Sequence, residues 1–411
     1  MINDYSNQII RLLADKKIFP YRIVQPMRPT QLIVFLSIVI GIYSAVNYYI
    51  FSRGLAAIPL TSTFRSWYPW IFLFLSSSYV IARFLERAWL SPVSDTFTWI
   101  GAFWLALMIH FLLAVLAIDI IRLIHTVIPI YPKFITHDLM ATRFWIFRGV
   151  IAVTVLVVLS GYINALNPVI RNLDIHINKK AGKYKQLHIV MASDIHMGTL
   201  VGPKRTQRMV NRINELKPDI ILFAGDMVDE DLAPVIRHDL GNSLKMLKAP
   251  LGVYAITGNH EYIGGAEKAV TYLQEHGIQL LRDTAILVDG SFYLAGRDDR
   301  DKPRLSGKQR KLLQEVLAGV DKSLPILMMD HQPFKLEAVK AAGVDLQLSG
   351  HTHHGQLWPF NYITQAMYEI SWGYKQKGNS HFYVSSGYGG WGPPVRTGNR
   401  PELVSIQVTF E

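Results

Sequence analysis

What most constrains this chain is a change of character near residue 170. Before that point apolar residues arrive in runs long enough to cross a bilayer. After it, short apolar runs, glycine turns and charged helical stretches alternate as in a water-soluble α/β protein. The 411 residues leave room for a membrane region and one further domain. The expected organisation is a juxtamembrane segment over 1–30, a transmembrane region over 31–170 and a globular domain over 171–411. Charge divides at the same place. Up to Leu173 there are 14 Lys and Arg against 6 Asp and Glu, a net of +8, while the remainder has 28 against 25, a net of +3. The basic excess therefore sits beside the apolar runs, where it suits anionic lipid better than nucleic acid. The chain has no cysteine, which removes disulfides and thiolate metal sites and permits a reducing compartment without demanding one.

Four spans are expected: Leu32 to Phe51, Trp67 to Leu85, Trp99 to Ile124 and Gly149 to Leu166. The first is uncharged and about 20 residues long, which at ~1.5 Å per residue matches a ~30 Å hydrocarbon core. The second is less uniform, holding Ser76, Ser77, Ser78 and Arg83, with Trp67, Tyr68 and Trp70 as interface markers. The third carries His110, Asp119 and Arg122. No cleavage pattern follows the first run, so it is expected to stay attached. An even number of spans puts both ends on one side. That side collects Arg11, Lys16, Lys17, Arg22, Arg28, Arg83, Arg87, Arg171, Lys179, Lys180, Lys183 and Lys185, against Arg53, Arg65, Arg122, Lys133, Arg143 and Arg148 opposite. Twelve cations against six predict that the second half faces the cytoplasm from a cell membrane.

In the second half, strands are expected at Gln186 to Ala192, Ile220 to Phe223, Gly252 to Ile256, Pro325 to Met329, Val344 to Leu348 and Leu403 to Phe410, with a helix from Pro203 to Leu216. The first five end in residues of metal-binding type: Asp194 and His196, Asp226, Asn259 and His260, His331, and His351 with His353. Ligand sites in α/β sheets lie beyond the carboxyl ends of strands. The glycine-rich stretch from Gly387 to Pro394 is expected as a loop beside them. Carboxylate, imidazole and amide donors without thiolate suit divalent manganese, iron or zinc. Two such ions sharing one carboxylate can activate a water and clamp a phosphoryl group, so phosphate ester hydrolysis is the natural chemistry.

The order Asp194-Ile-His196, Gly225-Asp226-Met-Val-Asp229, Gly258-Asn259-His260-Glu261, His331 and Gly350-His351-Thr352-His353 resembles the calcineurin-like metallophosphoesterase signature, over about residues 186 to 411. The resemblance implies an α/β fold, a β-sandwich flanked by helices, placed here after a four-helix transmembrane region. It implies one metal held by Asp194, His196, Asp226 and His353 and another by Asp226, Asn259, His331 and His351. It assigns His260 to the phosphate and the leaving oxygen as general acid. The chain is also similar to a membrane-associated branch with a closing Pro-Val-Arg-x-Gly-Asn stretch, here Pro394 to Asn399. Some members of that branch act on phosphorylated lipids, including the pyrophosphate of UDP-diacylglucosamine, and Arg396 would then meet a substrate phosphate.

Each cluster alone has an ordinary reading: Asp-x-His by chance, Asn259-His260 as a turn, His351 and His353 as a buried pair. Five clusters in order leave little room for chance. His176, His188, His238, His276 and His381 have no motif around them and are read as ordinary surface or core histidines. His354 is expected to point away from His353, Asp330 to lie on the other face from His331, and Asp298 and Asp299 to be solvated in a charged loop. Two other functions are weighed. One is a membrane-bound regulatory scaffold that binds metal without turnover, and the other is transport through the helices by His110 and Asp119. For the latter pair an interfacial contact of Asp119 with Arg122, three residues on, and a neutral hydrogen-bonded His110 are the simpler reading.

Overall fold

A chain inside lipid has to satisfy its backbone polar groups internally, and the apolar runs accordingly become helices. The computed structural model describes residues 29–411. The expected juxtamembrane segment, with Arg11, Lys16, Lys17, Arg22 and Arg28, lies outside the described residues except for Pro29 and Thr30. Four long helices follow: α1 (Pro29–Ala57), α2 (Phe64–Ala88), α3 (Pro92–Val127) and α4 (Leu139–Ala165). Among the described residues α2, α3 and α4 are long and apolar enough to cross a membrane, and the first expected span falls within α1. Ser91 caps α3 in a reciprocal pair with Ser94, and Pro92 occupies the first helical position, where a missing N–H costs nothing. Asp138 caps α4 by accepting the Ala141 N–H at 2.9 Å. Trp67 and Trp70 are exposed as expected of interface residues, but Tyr68 turns inward and stacks on Phe51 at 5.4 Å. Asp119 pairs with Arg122 at 3.3 Å, with Arg53 at 2.7 Å and with the Tyr49 hydroxyl at 2.6 Å.

Two six-stranded sheets follow the helices. In chain order the strands are β1 (Val169–Ile177), β2 (Gln186–Ala192), β3 (Ile220–Phe223), β4 (Val253–Ala255), β5 (Gln279–Leu280), β6 (Thr284–Val288), β7 (Phe292–Gly296), β8 (Ile326–Met329), β9 (Leu346–Ser349), β10 (Gly373–Lys377), β11 (Ser380–Val384) and β12 (Glu402–Phe410). One sheet runs β1-β12-β2-β3-β4-β5 and the other β10-β11-β9-β8-β7-β6. The strands β2 to β5 are mutually parallel, as are β7, β8, β9 and β11. Their carboxyl ends therefore collect at one edge of each sheet. Short runs such as Ile220–Phe223, buried on both faces, are what central parallel strands require.

The faces that meet between the sheets form one apolar core, including Leu187, Ile189, Leu222 and Ile406 from the first and Phe292, Leu327, Met329 and Leu348 from the second. On the outer face of the first sheet the helix Pro203–Glu215 buries Met209, Val210 and Ile213, three and four residues apart. The outer face of the second sheet is covered by Leu313, Val316, Leu336 and Val339. The expected strands and helix are present to within two residues at their ends, whereas β1 was not expected. It leaves α4 almost at once and pairs with β12 in parallel, from Val169 with Glu402 to Ile177 with Phe410.

The helices meet the sheets at the edge where the strands end. Asn164 of α4 donates to the carbonyls of Arg396 at 2.8 Å and Asn399 at 2.7 Å, and the Arg396 N–H donates to Gly161 O at 2.9 Å. Ala106 and Val158, within α3 and α4, pack against Leu357 and Val395. Leu222→Ala, in the fully buried layer between the sheets, is expected to cost about 2–5 kcal/mol. The check is denaturant unfolding of the detergent-solubilised protein, and a midpoint equal to that of the parent chain would contradict this packing.

Candidate metal centre

Every residue singled out after a strand stands where that strand stops. Asp194 and His196 follow β2, Asp226 follows β3, Asn259 and His260 follow β4, His331 follows β8, and His351 and His353 follow β9. Five of them leave the strand with left-handed backbone: Asp194 (φ 50°), His196 (φ 51°), Asp226 (φ 52°), His351 (φ 72°) and His353 (φ 45°). That region is uncommon for residues with a side chain, although Asp and His tolerate it better than most. Strain of this kind, of order 1–3 kcal/mol per residue, persists only where neighbours over-determine the conformation.

The neighbours that do so are visible. The Glu261 carboxylate accepts the N–H groups of Asp226 at 3.1 Å, Val228 at 2.9 Å and Gly258 at 2.7 Å, tying the ends of β3 and β4 together. Asp226 in turn accepts the His260 N–H at 2.9 Å, and Asp194 accepts the His351 N–H at 2.9 Å. Position 258 has to be glycine, because a Cβ there would collide with the Asp226 carboxylate.

These contacts bring the donor atoms together in three overlapping groups: Asp194, His196 and His353; Asp226, His331 and His351; and His196, Asp229 and His260. Within each group the atoms lie within 4.8 Å of one another. Asp226 stands between the first two, its Oδ2 lying 3.0 Å from His331 Nε2 and 3.9 Å from His196 Nε2. His196 and His353 face each other at 3.1 Å between their Nε2 atoms, and Asn259 Oδ1 lies 2.9 Å from His351 Nδ1. The seven expected ligands thus converge in one cleft, with His260 beside them.

The donor set fits divalent metal. His196 Nδ1 and His331 Nε2 are buried without a hydrogen-bond partner; the latter is near Asp226 but lacks hydrogen-bond geometry. Orphaned buried donors are rare enough to call for a ligand. Burial pushes the Asp194 carboxyl up. Burial also works against ionisation of Asp226, but the nearby His331 charge holds its carboxyl well below the usual range. His331 is the counterpart, lifted well above an ordinary imidazole by Asp226 despite its burial. Burial with the His331 charge pushes His351 down to about 4, and burial with His196 depresses His353. His260 is raised to about 9, since Asp226 and Asp229 outweigh the effect of burial. The cleft thus sets buried carboxylates and imidazoles against one another, a donor set that a pair of divalent cations would fit.

Some residues behave otherwise than expected from the sequence. Arg396 is fully buried. Its guanidinium donates to the carbonyls of Ser386 at 2.7 Å and Gly389 at 2.7 Å, and Nη2 lies 3.3 Å from His353 Nδ1. Asp298 and Asp299, expected in solvent, are buried as well. Asp298 takes hydrogen bonds from Thr257, Arg282 and Lys302, and Asp299 from Gln332. Lys302 belongs to the same charged string, but Arg282 and Gln332 come from elsewhere in the chain, so the burial was not visible in the local sequence. Asp330 pairs with Arg297 at 3.2 Å and Arg310 at 2.6 Å. His354 does turn away from the ligands, toward Ser371 Oγ at 3.0 Å. Gly389 lies against the site, its N–H donating to Asp194 O at 2.8 Å. Asp229, quoted within the motif but given no role, lies 3.2 Å from His260 Nδ1 and 3.6 Å from His196 Nδ1. Glu261 was likewise in the motif and is the buried tie described above. Its position three residues after Gly258 is the sequence signal for a helix-capping acid.

Fold and cleft together define a metal-dependent phosphoesterase. The family model for calcineurin-like phosphoesterases matches residues 187–355. An uncharacterized metallophosphoesterase of Aquifex aeolicus is 36% identical over 234 residues, covering 56% of this chain and 88% of its own. One from Campylobacter jejuni is 28% identical over 386 residues, covering 92% and 98% respectively. A transmembrane protein with metallophosphoesterase domain from Danio rerio is 30% identical over 266 residues, 62% of this chain and 60% of that one. The chain belongs to the calcineurin-like metallophosphoesterases.

Glu261→Gln keeps one acceptor oxygen but turns an N–H₂ toward either the Val228 N–H or those of Asp226 and Gly258, which should loosen the tie that holds the left-handed turn at Asp226. The expected result is a fall in Mn²⁺ affinity of about 10–100-fold, read by calorimetric titration. Unchanged affinity would remove Glu261 from its supporting role.

Proposed function

We propose that this is a membrane-associated two-metal phosphohydrolase that cleaves a phosphoester or pyrophosphate bond in an amphiphilic, lipid-linked substrate such as a UDP-diacylglucosamine-like molecule. The observation that carries the reaction class is the position of Asp226, one carboxylate between His196 and His331. In this reading Asp194, His196, Asp226 and His353 hold one ion and Asp226, Asn259, His331 and His351 the other, manganese by preference, with iron or zinc as alternatives. When bound, the pair supplies an activated water and charge neutralisation on the phosphoryl oxygens.

The chain's own residues do the rest. His260 is held by Asp229 at 3.2 Å, a carboxylate partner that favours the protonated ring, which can then give a proton to the leaving oxygen. Trp391 borders His260 at 6.3 Å between ring centroids and narrows the cleft on that side. Arg396, with its donors directed at protein carbonyls and His353, takes a positioning role in place of a direct grip on substrate phosphate. The apolar helices support membrane association, and we place the boundary between them and the phosphoesterase domain just before β1. The balance of cations supports a cytoplasmic position for that domain. Transport has no comparable support, since Asp119 is neutralised by Arg53 and Arg122. His110 lies 3.3 Å from Thr397 Oγ1 in the loop beside the cleft.

Purified protein with Mn²⁺ is expected to hydrolyse an aryl phosphodiester. Asp226→Ala should abolish this, and His260→Ala should slow it by about 10²–10⁴-fold. Metal binding without turnover on this ester or on a total lipid extract would favour the scaffold reading. Separately, reporters fused after residues 60 and 135 should read outside and those after 92 and 180 inside. An external reporter at 180 would reverse the orientation.

A further inference from the structure

The helix Phe360–Met367 departs from what a water-facing helix does. It carries no charged residue and buries none of its side chains. Phe360, Ile363 and Met367 are exposed and recur at the spacing of one helical face, with Tyr362 exposed beside them. Exposed tryptophans flank the segment, Trp358 before it and Trp372 after it. By contrast the helix Pro203–Glu215 buries its apolar residues and holds Lys204, Arg205, Arg208 and Arg212 on its other faces.

Its surroundings indicate what covers this face. Leu357, immediately before, is buried against Ala106 and Val158 within the membrane-type helices α3 and α4. The Trp358 N–H donates to Thr397 Oγ1 at 3.0 Å, and that oxygen reaches His110 of α3. The apolar face is therefore continuous with surfaces that lipid covers. Helix α3 has 36 residues; at ~1.5 Å each it exceeds a ~30 Å core by about 24 Å. A neighbouring segment can therefore pack against it and still lie at headgroup level, where exposed Trp and Tyr are favoured. The other end of the segment reaches the metal cleft. Tyr368 lies 6.2 Å from His351 and 5.0 Å from Phe334 between ring centroids, and the exposed guanidinium of Arg300 sits 4.0 Å over the Phe334 ring.

We propose that Trp358–Met367 is an interfacial segment seated in the bilayer beside the metal cleft, with lipid as the occupant of its apolar face. It marks the side from which a membrane-embedded phosphoester reaches the metals. The second statement rests on the function proposed above; the first does not. A headgroup arriving by lateral diffusion meets Arg300 and Tyr368 at the rim while its chains remain in lipid, so the substrate need not leave the membrane. A molecule lying in the bilayer plane fits this approach better than a soluble phosphoester does.

The absence of cysteine makes the test direct. Ile363→Cys and Met367→Cys are labelled with the fluorophore NBD, alongside Lys183→Cys in the exposed loop at the far end of the sheets. The full-length protein is reconstituted into phosphatidylcholine–phosphatidylglycerol vesicles. Labels at 363 and 367 should lose most of their emission to doxyl-labelled lipid and resist aqueous iodide, while the label at 183 should do the reverse. Iodide quenching at 363 and 367 equal to that at 183 would overturn the proposal. Protection there from both quenchers would also overturn it, because protein, such as a second copy of the chain, would then cover the face. A monodisperse elution profile for each labelled variant confirms folding. No turnover is measured, so a failure of the phosphoesterase assays leaves this result standing, and a failure here leaves the assignment of the metals intact.

Discussion

Two buried carboxylates converge on one imidazole at the centre of this fold: His331 Nε2 lies 3.0 Å from Asp226 and 4.0 Å from Asp194. Burying such charges without compensation costs several kcal/mol per ion, so the arrangement exists only because cations answer them. His331 answers them from within the chain, its affinity for a proton lifted by Asp226. Divalent metal, held by the same carboxylates with His331 among the residues that would bind it, would supply that compensation instead. The rigid sheets serve this balance. Donors at the ends of β2, β3, β4, β8 and β9 cannot drift apart without disturbing a core filled from both sheets. The Glu261 bridge between β3 and β4 then fixes the turns that aim Asp226.

The part of this centre that was readable in the sequence is the part in which strand and donor are neighbours. Asp194 follows Gln186–Ala192 and Asp226 follows Ile220–Phe223 so closely that an apolar run announces the site. Ordered clusters then carried the resemblance. What escaped depends on partners distant in sequence. The strand β1 (VIRNLDIHI) mixes charge with apolar residues because it is an edge strand, half exposed, and it was hidden by the end of α4. Asp298 and Asp299 lie in a run of charges that looks solvated. Only the fold supplies Arg282 and Gln332 to bury them. Arg396 was expected to meet a substrate phosphate, yet α3 and α4 cover the loop that holds it and its side chain is buried.

That cover gives the helices a structural part in the cleft. Gly161 of α4 lets the loop come close, since a Cβ there would stand 2.7 Å from Thr397 and Val395 side-chain atoms. From that contact the connection to the donors is short. Asn164 holds the carbonyls of Arg396 and Asn399, Arg396 reaches His353 Nδ1, and the Asn399 amide binds the carbonyls of His353 and His354. A separate set of ion pairs fixes the rim, Arg237 to Asp95 at 3.1 Å and Arg83 to Glu230 at 3.8 Å.

These contacts weigh against a picture in which the helices are only a tether. A tether needs a linker, whereas here β1 begins within four residues of the last helical position and Arg205, Arg212 and Arg400 bind the carbonyls of Ala165, Pro168 and Asn167 across the junction. With the junction closed in this way, the orientation of the cleft relative to the helices is set by the fold. Among the described residues α2, α3 and α4 are long and apolar enough to cross a membrane, so the proposed interfacial segment and the cleft would keep one relation to a bilayer. For the lipid-linked substrate proposed above, a fixed relation of that kind would reduce the path to the metals to a lateral step.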